Sequence, residues 1–331
     1  MNIKVLVLII GFFCGGCSQK KEVTMITQNP HITAKNIVEE INKEVKHYNS
    51  EKNFMISYEN YNCYFEVFVN DIPCYRYFKE PASSSAFDLN QCIFKNGIQK
   101  ITYKMYPATD ENAEIKNFIE STYLKLKVES YDKKNKNAED ILYQDYKTPE
   151  IEGIDQYGHK NKMFIAKGKT YYEGSFTFEA TVPYQLQGFD KMQDLRKMDK
   201  KVLEQKLLAK YQEVWQVYNN KQYDDIARIS FDKMKDQFIA TYDTKEGIAE
   251  GWNNVTTGLK NDTFEMQPLK DYKLAFLADG KLVVLMQTSN DRRNRGKTAL
   301  WGKYKIDERT RATFFYDYFY IPEGETEFKV Y

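Results

Sequence analysis

Three histidines, His31, His47 and His159, stand isolated among polar residues, and beyond residue 17 no His-x-x-x-His or Cys-x-x-Cys spacing occurs. A zinc site needs several such ligands converging on one point, so no metal and no other cofactor is expected. Gly296-Lys297-Thr298 has the ending of a phosphate-binding loop, but that loop requires glycine at 291, where Asp291 stands. No Gly-x-Ser-x-Gly elbow is present either. The remaining chemistry belongs to cations and aromatic rings. Arg292, Arg293, Arg295 and Lys297 crowd one loop, where they could grip a carboxylate, a phosphate or an acidic partner, unless the loop is a solvated tip neutralised by Asp291. Tyr75-Arg76-Tyr77-Phe78 is apolar or aromatic on both faces of one strand. One face enters a core; the other shows Tyr75, Arg76 and Tyr77 to a partner or to a second domain. Phe314 to Tyr320 is aromatic on both faces, as a covered central strand is, with Asp317 as the exception. Turned inward, that carboxyl either finds a hydrogen-bond partner or serves a pocket, which would include Trp301.

Cysteines carry a second kind of chemistry. Cys63, Cys74 and Cys92 are the three beyond residue 17, an odd number. Asn70-Asp71 reads as a two-residue hairpin turn, setting Val69 against Ile72, Val67 against Cys74 and Cys63 against Phe78. Cys63 then lies roughly 13 Å along the strand from the position facing Cys74, beyond the ~7 Å Cα limit for a bridge. A bridge from Cys92 to either cysteine stays open, beside the alternative of three buried thiols.

The elements that must position these residues fall into two groups. From Asn53 the apolar period is two: Phe65, Val67 and Val69; Ile101, Tyr103 and Met105; Leu124, Leu126 and Val128; Phe176, Phe178, Ala180 and Val182. With no long helices between them for crossovers, these strands predict an antiparallel β-sandwich over residues 51–187. Met192, Leu195, Met198, Val202, Leu203, Leu207, Tyr211, Val214, Trp215 and Tyr218 then take helical spacing, predicting a helix over 190–219 and shorter ones over 222–240 and 245–258. Strands at 272–277, 282–287, 300–306 and 313–321 complete a helices-then-meander α+β domain over 188–331. Ile37, Val38, Ile41 and Val45 mark a short amphipathic helix or a loose leader within residues 17–50, after a polar tether at 20–30.

Composition narrows the function classes. Hydrophobic residues make up 42% of 331 and aromatics 15%, enough to pack two cores. A formal charge of +1 provides no global field toward nucleic acid, so no nucleic-acid partner is expected.

Lys4 precedes the apolar run Val5 to Phe13, which ends in Cys14-Gly15-Gly16-Cys17 before polar residues. The run is about half of the ~20 residues that a membrane span needs, and it reads as a signal peptide, residues 1–16. Gly15, Gly16 and Cys17 resemble the lipobox of bacterial lipoproteins, although that family usually carries Leu where this chain has Cys14. The resemblance implies cleavage after Gly16, lipidation of Cys17 and a cell-envelope location anchored in the membrane, the outer membrane where the source has two because Ser18 follows the cysteine. Two or more acyl chains hold where one is marginal, at about 0.8 kcal/mol per buried methylene. Val214-Trp215-Gln216-Val217-Tyr218-Asn219-Asn220-Lys221-Gln222-Tyr223-Asp224 resembles the opening helices of cone-shaped NTF2-like domains, without the strand those place before the third helix. The first half resembles in style envelope lipoproteins of which some serve as immunity proteins beside secreted toxins. These readings point to a non-enzymatic protein-binding lipoprotein. Two alternatives stand: a small-molecule binder or hydrolase with a pocket at Trp301 and Asp317, and a structural lipoprotein of an envelope assembly.

Overall fold

The computed structural model describes residues 26–108, 116–154, 158–289, 291 and 293–331. The leader with Gly16 and Cys17, and Arg292 of the basic loop, lie outside the described residues.

Ten strands build the first half: β1 (Lys52–Tyr61), β2 (Cys63–Val69), β3 (Ile72–Tyr77), β4 (Ala82–Asp88), β5 (Gly97–Pro107), β6 (Tyr123–Asp132), β7 (Ile141–Lys147), β8 (Glu150–Ile154), β9 (Lys160–Phe164) and β10 (Tyr172–Ala180). Eight of them form two antiparallel four-stranded sheets, in the orders β4-β1-β6-β7 and β10-β5-β2-β3, and β8 and β9 make a separate hairpin. Alternation decides the faces. Phe54, Ile56, Leu124, Leu126 and Val128 of the first sheet share one core with Phe65, Val67, Ile101, Tyr103 and Met105 of the second. Each such side chain contributes about 1.5–3 kcal/mol by leaving water, and a one-residue slip would turn a whole set outward.

The β2–β3 hairpin has the expected turn, with Asn70 and Asp71 both at positive φ and Val69 facing Ile72. Beyond it the register departs from the straight one. Phe68 faces Pro73 and Val67 faces Tyr75, so a bulge leaves Cys74 as the extra residue. Pro73 has no N–H to offer the ladder, and the bulge falls beside it. In the straight register Arg76 would have faced Phe65 on the core side. The bulge instead sends Tyr75 and Tyr77 to the core and sets Arg76 opposite Glu66.

In the second half come α2 (Lys200–Asn219), α3 (Tyr223–Thr241) and α4 (Lys245–Lys260). The helix expected from 190 starts only at Lys200. Asp194 accepts from Arg196 N, holding a short 3-10 turn, and Asp199 caps α2 by accepting from Lys201 N and Val202 N. These aspartates satisfy backbone donors locally and so end the helix N-terminally. The N-terminal helix α1 (Ile37–Glu44) docks on α3 and α4, with Ile32, Ile37 and Ile41 packed against Ala227, Phe231 and Ile248. Residues 26–30 are docked as well, where a free tether was expected: Ile26 is buried in the second core.

Seven strands follow: β11 (Glu265–Met266), β12 (Tyr272–Leu277), β13 (Leu282–Gln287), β14 (Trp301–Ile306), β15 (Arg309–Phe314), β16 (Phe319–Tyr320) and β17 (Lys329–Val330). They form two antiparallel sheets, β11-β14-β15 and β12-β13-β16-β17. The single strand expected over 313–321 is therefore two. After Phe314 the chain leaves the first sheet, with Phe315 N donating to Leu300 O, and it enters the second at Phe319 opposite Val283. Asn90 stitches the two halves. Its side chain accepts from Phe54 N at 2.6 Å and donates to Lys52 O and, on α3, to Ala240 O at 2.8 Å.

Candidate functional site

Where β2, β3 and the short 3-10 turn Asn90–Cys92 face α3 and the segment 315–318, a cleft of about 340 Å³ remains. Phe68, Ile72, Phe94, Met286 and Tyr318 supply apolar walls, and Glu66, Arg76, Gln91, Lys233, Gln237 and Tyr316 supply polar groups. A second cavity of about 390 Å³ shares Glu66, Phe68, Pro73, Met286 and Gly296 with it and adds Lys104, Lys273 and Arg295. Gly296, at φ 71°, allows the basic loop to lie this close, because a Cβ there would fall 2.3 Å from Glu66 Oε1.

The charges are unequal. Glu66, which accepts from the Tyr106 hydroxyl at 2.8 Å, is the one carboxylate side chain among the described residues lining the first cavity. Around it burial lowers the pKa of Arg76, opposed by Glu66 and reinforced by Arg295. Burial and Arg76 together lower Lys297, whose ammonium lies 4.0 Å above the Phe314 ring. Lys233 is pushed down to about 8 by burial, against the pull of Asp317; it donates to Tyr316 O and lies 4.3 Å over the Tyr318 ring. Several cations whose charged forms are disfavoured, set among aromatic rings, make a site that would be stabilised by an anionic group carried on an apolar body.

The structure distributes the sequence candidates unevenly. Arg76 enters the first cavity and Arg295 the second. Tyr75 touches the cavity edge but stacks on Phe87 at 4.1 Å, its hydroxyl 3.2 Å from that of Tyr58. Tyr77 is only 8% exposed and belongs to the first core, which removes it from any partner surface. Arg293 forks onto Asp291 with an exposed side chain, the arrangement of a solvated tip. Trp301 stacks on Phe314 at 5.7 Å. Asp317 is buried and accepts from the Tyr218 hydroxyl at 3.0 Å. Neither Trp301 nor Asp317 lines the two cavities described above, and Tyr218 and Phe315, stacked at 3.9 Å, help fill the interior of the second half with rings. Lys233, Gln237, Gln91 and Tyr331 escaped the sequence reading. A lysine on a helix, one of 48 basic residues, carries no local mark of facing a cleft.

Among the described residues no group of His, Cys, Asp and Glu side chains is arranged to hold a metal ion, and no helix is long and apolar enough to cross a membrane. Comparison of the chain with family models, with curated proteins and with solved structures returns no match.

Proposed function

We propose that this chain is a lipid-anchored envelope lipoprotein whose folded part is a non-enzymatic binding module, immunity-like in use, holding a protein partner at the cleft between its halves. In this reading Cys17 carries the lipid, the signal peptide leaves after Gly16, and the outer membrane is favoured where the source has two membranes. The finer fold reading is a β-sandwich followed by an NTF2-like unit. Two facing antiparallel sheets support the first part, and three helices ahead of a set of antiparallel strands support the second.

The observation that carries the binding reading is the cleft, with Arg76 and Lys233 on an aromatic wall and Arg295 beside it. A partner that fits presents an acidic side chain next to an aromatic or aliphatic one, the combination that bidentate arginine and an apolar pocket recognise together. The size of the cavity favours one further reading, an apolar carboxylic acid of low mass bound in the same place. Recovery of partners from membranes by wild type and by Arg76→Ala tests the cleft. A loss of about tenfold, equivalent to ~1.4 kcal/mol, is expected. Equal recovery would remove the role of Arg76, whereas a co-purified small acid lost in the variant, seen by native mass spectrometry, would favour the second reading. The anchor is tested apart: Cys17→Ser should leave the membrane fraction, and its retention there would remove the lipid from the proposal.

A further inference from the structure

Two of the three described cysteines line the wall of the cleft. Cys74 is the extra residue of the β3 bulge, so it stands free of the regular ladder on an edge strand. Cys92 closes the 3-10 turn that Asn90 ties to β1 and α3. Strand β3 and this turn lie against each other, and both thiols face the same cavity. Cys74 Sγ makes a long hydrogen bond, 3.7 Å, to Asp88 O, and Cys92 nearby, together with burial, raises its pKa well above the ordinary range. Both residues line the cavity of about 340 Å³, which opens to solvent and admits a small reagent. Cys63 is elsewhere: fully buried, its sulfur donates to Tyr123 O at 3.4 Å.

We propose that Cys74 and Cys92 form a redox-active site in the cleft wall, where an external disulfide oxidant closes them into an internal bond. The thiolate of one cysteine attacks the oxidant R–S–S–R, giving a mixed disulfide and one RSH. The thiolate of the other then attacks the protein sulfur of that intermediate and expels the second RSH. Two electrons pass to the oxidant, and the two thiol protons end on the two RSH molecules. The new bond joins edge strand β3, which carries Arg76, to the 3-10 turn that carries Gln91, so the oxidised form holds the polar wall of the cleft in one arrangement. The two cysteines stand on elements in contact and line one cavity wall, and closing the bond brings their Cα atoms within the ~7 Å that a disulfide allows.

Oxidised glutathione, added to the full chain in detergent micelles, tests this. Trypsin should place Cys63 and Cys74 in one peptide, residues 53–76, and Cys92 in another, residues 80–95. After oxidation and alkylation the expected product is these two peptides linked, lighter by two hydrogen atoms, with fragmentation locating the bond at Cys74. Cys63→Ser should retain the link, and Cys74→Ser should lose it. Wild-type protein alone is decisive should a variant fold poorly. Three alkylated cysteines after oxidation would overturn the proposal, as would glutathione adducts without an internal bond, or a bond from Cys92 to any cysteine other than Cys74.

Discussion

Asp317 is a carboxyl whose charge the second core resists. Burial pushes its pKa up to about 6, with Lys233 and the Tyr218 hydroxyl pulling the other way. Asp236 is likewise pushed up to about 6 by burial, while Tyr331 donates to it at 3.1 Å. Both groups bind a proton more tightly in the folded chain than at their ordinary value of 3.8. Their contribution is therefore fully present below about pH 4 and is lost as the pH rises through about 6, a loss approaching ~3 kcal/mol for each two-unit shift. Asp194, drawn down to about 2 by Arg196, acts in the opposite direction and in a lower window. Urea midpoints taken at both ends of the pH 4–6 interval should show Asp317→Asn with a flatter profile than wild type. Parallel profiles would mean that Asp317 is ionised in the folded protein throughout.

Among the elements, β10 shows how a sheet is fitted around one ring. Gly174 faces Tyr103 across the β10–β5 pair, and a Cβ there would lie 2.1 Å from the Tyr103 hydroxyl, which is 2.7 Å from that of Tyr146. Tyr103 is fully buried and cannot swing away without breaking that hydrogen bond. Gly174→Ala should therefore destabilise by about 1–3 kcal/mol through overpacking, whereas Ser175→Ala on the exposed face of the same strand should be near neutral. Equal denaturation midpoints for the two variants would show that the ring has room to move. The β3 bulge has the larger functional consequence, since the same hairpin in straight register would aim Arg76 at Phe65 and leave the cleft without its arginine.

For the molecule as a whole, contacts between distant parts of the chain are decisive. Gln28 brackets Val330 as a neighbouring strand would, its side chain donating to Val330 O at 2.7 Å and accepting from Val330 N at 2.9 Å. Asn29 adds bonds to Arg228 O and Asp232 on α3. The polar stretch that reads as a free tether is thus, from Ile26 onward, part of the folded body. Gln28→Ala should lose about 1–3 kcal/mol, two hydrogen bonds at ~0.5–1.5 each, and should release the Val330 amide to hydrogen exchange. Unchanged protection at Val330 would show that burial alone shields this amide, which faces Gln28 and not β16. A cluster of Phe68 and Ile72 with Phe189, Leu282, Tyr318 and Tyr331 joins the halves, so the cleft lies over a shared apolar floor.

Local patterns in the sequence determined much of the secondary structure. Period two in β5 and β6, the Asn70-Asp71 turn, the two shorter helices and the strands at 272–277 and 282–287 are all legible, because each depends on neighbours a few residues away. The start of α2 was obscured because Met192, Leu195 and Met198 keep helical spacing while Asp194 and Asp199 cap against it. Only the tertiary structure decided the cleft. Arg76 was visible as a residue, but its direction depends on a bulge at Pro73, Lys233 on how α3 meets the first half, and the placing of Cys74 and Cys92 on one wall on an asparagine that ties β1 to α3, far apart in sequence. Helix and strand signals reflect local sterics and burial, whereas a cleft between two bodies is set by long-range packing, which leaves no period in the chain.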